Sequence, residues 1–316
     1  MKMYNEISFD TPPVMVAAWP GMGNVGLIAA DYLRKSLGGQ PFAEMDMSPF
    51  FIPESIVVKD GIAQLPTMPT GMFHYRRDPD LIVFESNAQV GGRDGLAIIK
   101  TILDIARQLE VKRVYTAAGF AQPMSHSSES QVLCASNREE VLTDLLEHRV
   151  VAMPNGYIAG LNGLLLGIAG ARNLEAACFL GTIPSYATNL SYPKASLSIL
   201  RTVERVLGVN LSLTELEASV VEIDGELAKI EERIRQYFPT LSQQEEDTPE
   251  LEDHEVPKYI MDRIERLFEA VKSDRSRAKE LRDELTRWNL YDLYEHRFLD
   301  LFKKRGSDEE DRRDRE

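Results

Sequence analysis

Cysteine is nearly absent from this sequence, with Cys134 and Cys178 the two in 316 residues. Each lies in an apolar stretch, and no second Cys or His stands near either at zinc-ligand spacing. A disulfide framework and a zinc knuckle are therefore excluded, and two buried, reduced thiols are expected. Histidine is scarce too: His74, His126, His148, His254 and His296 are scattered and form no metal-binding cluster. No uninterrupted apolar run approaches the ~20 residues needed to cross a bilayer. The opening Met1-Lys2-Met3-Tyr4-Asn5-Glu6 lacks the apolar centre of a signal peptide, so a cytoplasmic address is the expectation. Also missing are a G-x-S-x-G elbow, an H-E-x-x-H helix and a Walker-type lysine.

Basic charge is in short supply, 36 Lys and Arg against 50 Asp and Glu, a net of −14. The imbalance is uneven. Residues 1–210 hold 20 acidic and 17 basic side chains, whereas residues 211–316 hold 30 and 19. A nearly neutral body with an acidic tail argues against nucleic-acid partners, which need a basic surface, and against docking on anionic membranes.

What is present reads as alternating short strands and amphipathic helices. Val14-Met15-Val16-Ala17-Ala18-Trp19 has strand length and ends at Pro20-Gly21; a helix follows with Val25, Leu27, Ile28, Tyr32 and Leu33 inward, stopped by Gly38-Gly39. Segments 55–58 and 62–65 flank Lys59-Asp60-Gly61, and the Asp-Gly pair signals a hairpin. Further strands are expected at 81–84, 113–119 and 176–182, with helices at 93–110, 160–171 and from Pro193 to about Gly208. Asn137 with Glu140 reads as a capping box for a helix through Leu146. The irregular alternation with an inserted hairpin predicts an α/β fold in which a mixed sheet lies between helix layers.

Beyond residue 210 the pattern changes. Leu213, Leu216, Val220, Ile223, Leu227, Ile230 and Ile234 recur at spacings of three and four, a heptad seam. Residues 240–256 form an acidic, proline-broken linker, and a second seam runs Ile260, Ile264, Leu267, Val271, then Leu281, Leu285 and Trp288. Two seamed helices joined by a linker predict a C-terminal helical hairpin over 211–305, followed by a charged tail at 306–316. Either the stripes pack on the body or on each other, or the first seam serves as an oligomer or partner contact.

Two motifs bear on chemistry. Gly21-Met22-Gly23-Asn24-Val25-Gly26 follows a strand and opens a helix, as the dinucleotide fingerprint requires. Gly21, Gly23, Asn24 and Gly26 are thus candidates to hold an anion on the helix start, with Glu44 as the ribose acid. Against that, Pro20 constrains the turn and the strand–helix repeat breaks after Gly39. A purely structural turn is the competing reading, and no cofactor is expected. The loop Ser125-His126-Ser127-Ser128-Glu129 places hydroxyls beside a histidine after a strand, with Asp94 or Glu85 as candidate orienting acids for His126. Sequence neighbours rarely face one another as nucleophile and base, which favours a polar loop. A third feature is the glycine series 160, 163, 167 and 170, on one side of a helix, which predicts tight backbone packing there.

The stretches WPGMGNVGLIAADYL at 19–33, Val114 to Ser128, PNGYIAGLNGLLLGIAG at 154–170 and FLGTIPSYATNLSYPKAS at 179–196 resemble, in order, the proteasome assembly chaperone family of the second-subunit type. The resemblance covers about residues 12–210. It implies a three-layer α/β/α sandwich of phosphorylase/hydrolase-like fold, assembled into homo-oligomers, with relatives that build or engage the 20S proteasome. Two departures stand out. Proteasome-engaging archaeal relatives end in a hydrophobic–tyrosine–any-residue tail, where this sequence has Arg312-Arg313-Asp314-Arg315-Glu316. Relatives often have His-Thr-Arg-Pro where this chain has His126-Ser127-Ser128-Glu129, so the histidine is kept and the basic residue lost. The expectation is a non-catalytic, self-associating assembly or scaffold protein with protein partners. The alternative is a small-molecule or nucleotide binder, including a phosphorylase/hydrolase-like enzyme with the Gly21–Gly26 turn as its anion site.

Overall fold

The computed structural model describes residues 1–237, apart from 52, 54 and 67, and residues 263–287, apart from 265, 269, 272 and 273. The side chains of Ile234, Ile260 and Trp288, the acidic linker, His254, His296 and the charged tail named above lie outside the described residues.

Strand alternation decides the layering. In β2 (Val14–Ala18) Val16 and Ala18 join one buried cluster while Met15 and Ala17 join the other. In β7 (Leu81–Ser86) Leu81 and Val83 oppose Ile82 and Phe84 in the same way. A strand apolar on both faces must lie inside a sheet covered on both sides. These two are central in a nine-stranded sheet of order β1-β3-β6-β7-β2-β8-β11-β9-β10. The other strands are β1 (Lys2–Met3), β3 (Gln40–Asp46), β6 (Thr70–Arg76), β8 (Arg113–Gln122), β9 (Val132–Ser136), β10 (Val151–Ala152) and β11 (Glu175–Pro184). β7, β2, β8 and β11 run parallel in succession, whereas the β6–β7 and β11–β9 pairings are antiparallel, so the sheet is mixed.

One face is covered by α1 (Val25–Ser36), α3 (Glu139–Leu146), α5 (Pro193–Leu207) and α6 (Thr214–Tyr237). The other carries α2 (Gly92–Gln108) and α4 (Gly160–Ala171). β4 (Val57–Lys59) and β5 (Ile62–Gln64) form a separate two-stranded hairpin. Its turn has positive φ at Asp60 (51°) and Gly61 (79°), the geometry the Asp-Gly pair predicted.

Three expectations change. The capping box at 137–140 does not form: Arg138 precedes α3 and supplies no side-chain cap. Asn137 is instead an interior clasp. Its Nδ2 donates to Leu166 O (3.1 Å) and Leu174 O (3.0 Å), and its Oδ1 accepts from Ala176 N–H (2.9 Å). A side chain that satisfies three buried backbone groups across two elements outweighs one helix cap. The glycines of α4 are not one packing stripe either. A Cβ on Gly163 would lie 2.2 Å from Ile158 O, while nothing lies within 4 Å of one on Gly167.

The boundary expected near residue 210 moves as well, because the chain separates into compact units 1–248 and 249–316. α6 belongs to the first. Leu216 (4% exposed) and Leu227 (1%) enter the α1/α5 core, and Leu213, Val220, Ile223 and Ile230 pack against it. The apolar seam therefore faces this chain's own body. Within the second unit, α7 (Ala278–Arg287) buries Leu281 and Leu285, and Ile264, Leu267, Phe268 and Val271 are buried too. Among the described residues no helix is long and apolar enough to cross a membrane.

Candidate functional site

The C-terminal ends of β2, β8 and β11 bring the two sequence motifs to one side of the sheet, where open α/β folds place their sites. After β2, Met22–Asn24 forms a 3₁₀ turn with φ +62° at Gly23 and +50° at Asn24. Segment 185–192, which links β11 to α5, lies over this turn. Gly23 N–H donates to Thr188 O (2.9 Å), and Tyr192 N–H donates to Gly23 O (2.9 Å). A Cβ at Gly23 would sit 3.1 Å from Tyr192 Cβ, and one at Gly26 only 1.9 Å from Ala117 O on β8. At Gly21 the nearest atom to such a Cβ is 3.9 Å away and φ is an ordinary extended −167°. Packing thus accounts for Gly23 and Gly26, and the Gly23 N–H that a diphosphate would use is already engaged. Of the four candidates, Asn24 lines an open cleft.

His126 lies in the loop after β8, and its partners come from far along the chain. Glu231 on α6 accepts from His126 N–H (2.8 Å), Ser125 Oγ (3.0 Å) and Tyr186 OH (2.7 Å), and its Oε2 lies 2.6 Å from His126 Nδ1. Lys194, at the start of α5, donates to His126 O and pairs with Asp224 of α6 at 2.7 Å. Burial pushes the Glu231 carboxyl up, but hydrogen bonds from Tyr186, His126 and Ser125 outweigh it and hold the group below the usual carboxylate range. Burial, then the hydrogen bond to Glu231, drives the Tyr186 phenol well above its ordinary value. Glu85, an orienting acid expected from sequence, is engaged elsewhere with Arg34.

This set resembles the histidine–carboxylate part of a triad, yet Ser125 bonds the carboxylate and not the ring. Among the described residues no hydroxyl or thiol hydrogen-bonds His126 Nε2. What the arrangement does chemically is hold α6 onto the body: one carboxylate satisfies four donors from two loops. Sequence reading missed Glu231, Asp224, Tyr186 and Lys194. The usable signal was the pair Asp224 and Glu231, one heptad apart beside the apolar seam, which marks a polar strip turned toward the protein.

A second site opens between α1 and strands β6 and β7, a cleft of about 550 Å³ lined by Asn24, Asp31, Arg34, Met72, His74 and Glu85 among others. Helix spacing aligns Asn24, Leu27, Ile28, Asp31 and Arg34 along one flank of α1. Arg34 Nε donates to Glu85 Oε2 (2.6 Å), and its Nη2 pairs with Asp31. His74 Nδ1 is 3.8 Å from Glu85 Oε2. His74 Nδ1 and Glu85 Oε1 are both buried without a hydrogen-bond partner. Burial, reinforced by the Arg34 charge, lowers the His74 pKa to about 4, so the ring is neutral at physiological pH. Burial also pushes the Glu85 carboxyl up, against the pull of Arg34.

The two thiols are buried and not joined in a disulfide, and burial raises both pKa values to about 12, which keeps them protonated. Among the described residues no group of His, Cys, Asp and Glu side chains could hold a metal ion. On the surface, the β4–β5 hairpin leaves Ile56, Val57, Val58, Ile62 and Leu65 between 42% and 72% exposed.

Comparison with known proteins agrees with this architecture. An uncharacterized protein of Methanocaldococcus jannaschii is 26% identical over 219 residues, covering 69% of this chain and 82% of that protein. Pyrococcus furiosus PbaB, an archaeal proteasome activator, is 25% identical with a TM-score of 0.62, over 73% of this chain and 97% of its own. A Mycobacterium tuberculosis proteasome-assembly chaperone homologue is 20% identical with a TM-score of 0.58, over 78% and 99% of the two chains. A sequence model of the PAC2 family matches residues 15–231, from inside β2 to the α6 carboxylate that holds His126. With more than half its length matched, the chain belongs to the PAC2 family, the proteasome assembly chaperone family that the sequence motifs resemble.

Proposed function

We propose that this protein is a non-catalytic, self-associating scaffold of the assembly-chaperone kind, acting on protein partners in the cytoplasm. The exposed apolar hairpin carries the reading. Val57 and Val58 point to opposite faces of β4, so the hairpin presents apolar side chains on both sides. Two strands alone are marginal in water, and an exposed apolar patch of this kind marks a contact surface. The favoured occupant is the same hairpin of a second copy. Its charged residues, Lys59 and Asp60, cancel, so copies carrying a net −14 meet there without opposing charge. The engaged His126 loop, the covered glycine turn and the buried, protonated thiols favour binding over catalysis. The likeness to PbaB, a proteasome activator, and to a mycobacterial assembly-chaperone homologue makes a proteasome-like particle the first partner to try.

Light scattering on the full chain and on an Ile56→Asp/Val58→Asp/Ile62→Asp variant tests this. The expected result is a multimer for the parent and a folded monomer for the variant. A monomeric parent, or an unchanged multimer in the variant, overturns the assignment of this surface.

A further inference from the structure

The cleft beside α1 is independent of the hairpin and of the latch at His126, and its chemistry is specific. His74, 9% exposed, and Glu85 line it, and Nδ1 of the one and Oε1 of the other are buried without a hydrogen-bond partner. At neutral pH the imidazole is uncharged; with its proton on Nε2, Nδ1 presents a lone pair and no hydrogen. Glu85 Oε2 is taken by Arg34, leaving Oε1 as a second lone-pair site. Among the described residues the one cation lining the cleft, Arg34, is already bonded to Asp31 and Glu85, and Lys35, 64% exposed, reaches Asp31 from the outside. An anion would meet two carboxylates and two unpaired acceptors. What His74 and Glu85 lack is a donor with several hydrogens, and a primary ammonium has three donors and no acceptor.

We propose that this cleft binds a small aliphatic amine, its ammonium placed between His74 Nδ1 and Glu85 Oε1 and its carbon chain along Leu27, Ile28 and Met72. The terminal carboxylate torsion of a glutamate is broad, so turning Oε1 toward the cleft leaves the sheet intact. The apolar side chains line the same cleft from α1 and β6. At the rim, Asn24 makes no side-chain cap bond, and with Asn87 and Ser191 it offers amide and hydroxyl groups to a polar far end of the ligand. A cleft of about 550 Å³ holds a ligand well beyond a bare ammonium ion.

The test is a titration of the full chain with butylammonium, followed by calorimetry and by the Met72 methyl and His74 ring resonances. Butan-1-ol, of equal length but neutral, and tetramethylammonium, a cation without N–H donors, are the controls. Saturable butylammonium binding is expected, with both controls weaker by about tenfold or more, as loss of a charge-assisted hydrogen bond implies. Glu85→Gln should weaken it by a similar factor. Absence of saturable binding, equal binding of butan-1-ol, or shifts that spare Met72 and His74 would overturn the proposal. The resonance shifts in the parent chain decide the matter even where Glu85→Gln fails to fold. Light scattering on the hairpin variant bears only on self-association, so the two ideas fail separately.

Discussion

Three glycines of one hexapeptide have three different fates. Gly26 packs against the β8 backbone, Gly23 occupies left-handed space under Tyr192, and Gly21 is extended beside open volume. Gly26→Ala should therefore cost about 3 kcal/mol or more, the upper end for overpacking. Gly23→Ala should cost about 1–2 kcal/mol for its positive φ, and Gly21→Ala less than about 0.5 kcal/mol. Urea denaturation of the three variants gives that order; a Gly21 variant as damaged as the Gly26 one would contradict it. Glu231 sets a second expectation. Its folded pKa lies below the unfolded value, so its contribution is complete above about pH 4.3 and disappears as pH falls through the lower folded value. Glu231→Ala, which leaves four donors without their acceptor, should destabilise by roughly 2–3 kcal/mol at pH 7, and the deficit should shrink in acid. His74 works in the same direction at higher pH. With a folded pKa of about 4 against about 6.5 unfolded, the unfolded chain takes up the proton first, and stability falls as pH drops across that interval. Melting temperature against pH should be flatter there for His74→Asn than for the parent. The packed turn was one of two readings the sequence allowed, whereas the roles of Glu231 and His74 were not legible from it. The glycine fingerprint has the same spelling for a phosphate grip and for a packed turn, and Glu231 stands 105 residues from His126.

At the level of elements, α6 behaves as part of the body. Truncation after residue 210 should expose the α1/α5 face that Leu216 and Leu227 cover, whereas truncation after 248 leaves it closed. Losing two buried leucines costs about 2–5 kcal/mol each by the usual large-to-small scale. The shorter fragment should thus be insoluble or loosely folded, with broad amide resonances, and the longer one should melt cooperatively. Equal stability of the two would remove α6 from the core. Here the sequence was a good guide to existence and a poor one to placement. Period and caps located β2, α1, the β4–β5 hairpin, α2, α4 and α5 to within a few residues. The seam on α6 was equally plain, but a heptad pattern records only that one side is apolar, not which surface meets it. Asn137 shows the same limit, since its cap-like spacing says nothing of the helix carbonyl and strand N–H it meets in space.

For the whole molecule, charge bears on the proposed self-association. Copies with a net −14 repel one another at low ionic strength, and the neutral hairpin offers the place where contact is least opposed. Raising salt from about 0.02 to 0.2 M shortens the screening length severalfold, so self-association should tighten with salt. Sedimentation velocity at the two salt concentrations measures this, and loosening with salt would point to an ionic contact in place of the apolar hairpin.

The position of the α6 clasp along the chain has a bearing on synthesis. The body cannot seal until Leu227 and Glu231 have emerged from the ribosome, because the helix closing one side of the sheet is the last piece of that unit to be made. Until α6 arrives, the α1/α5 face that Leu216 and Leu227 cover stays open, so closure of the body waits on that helix.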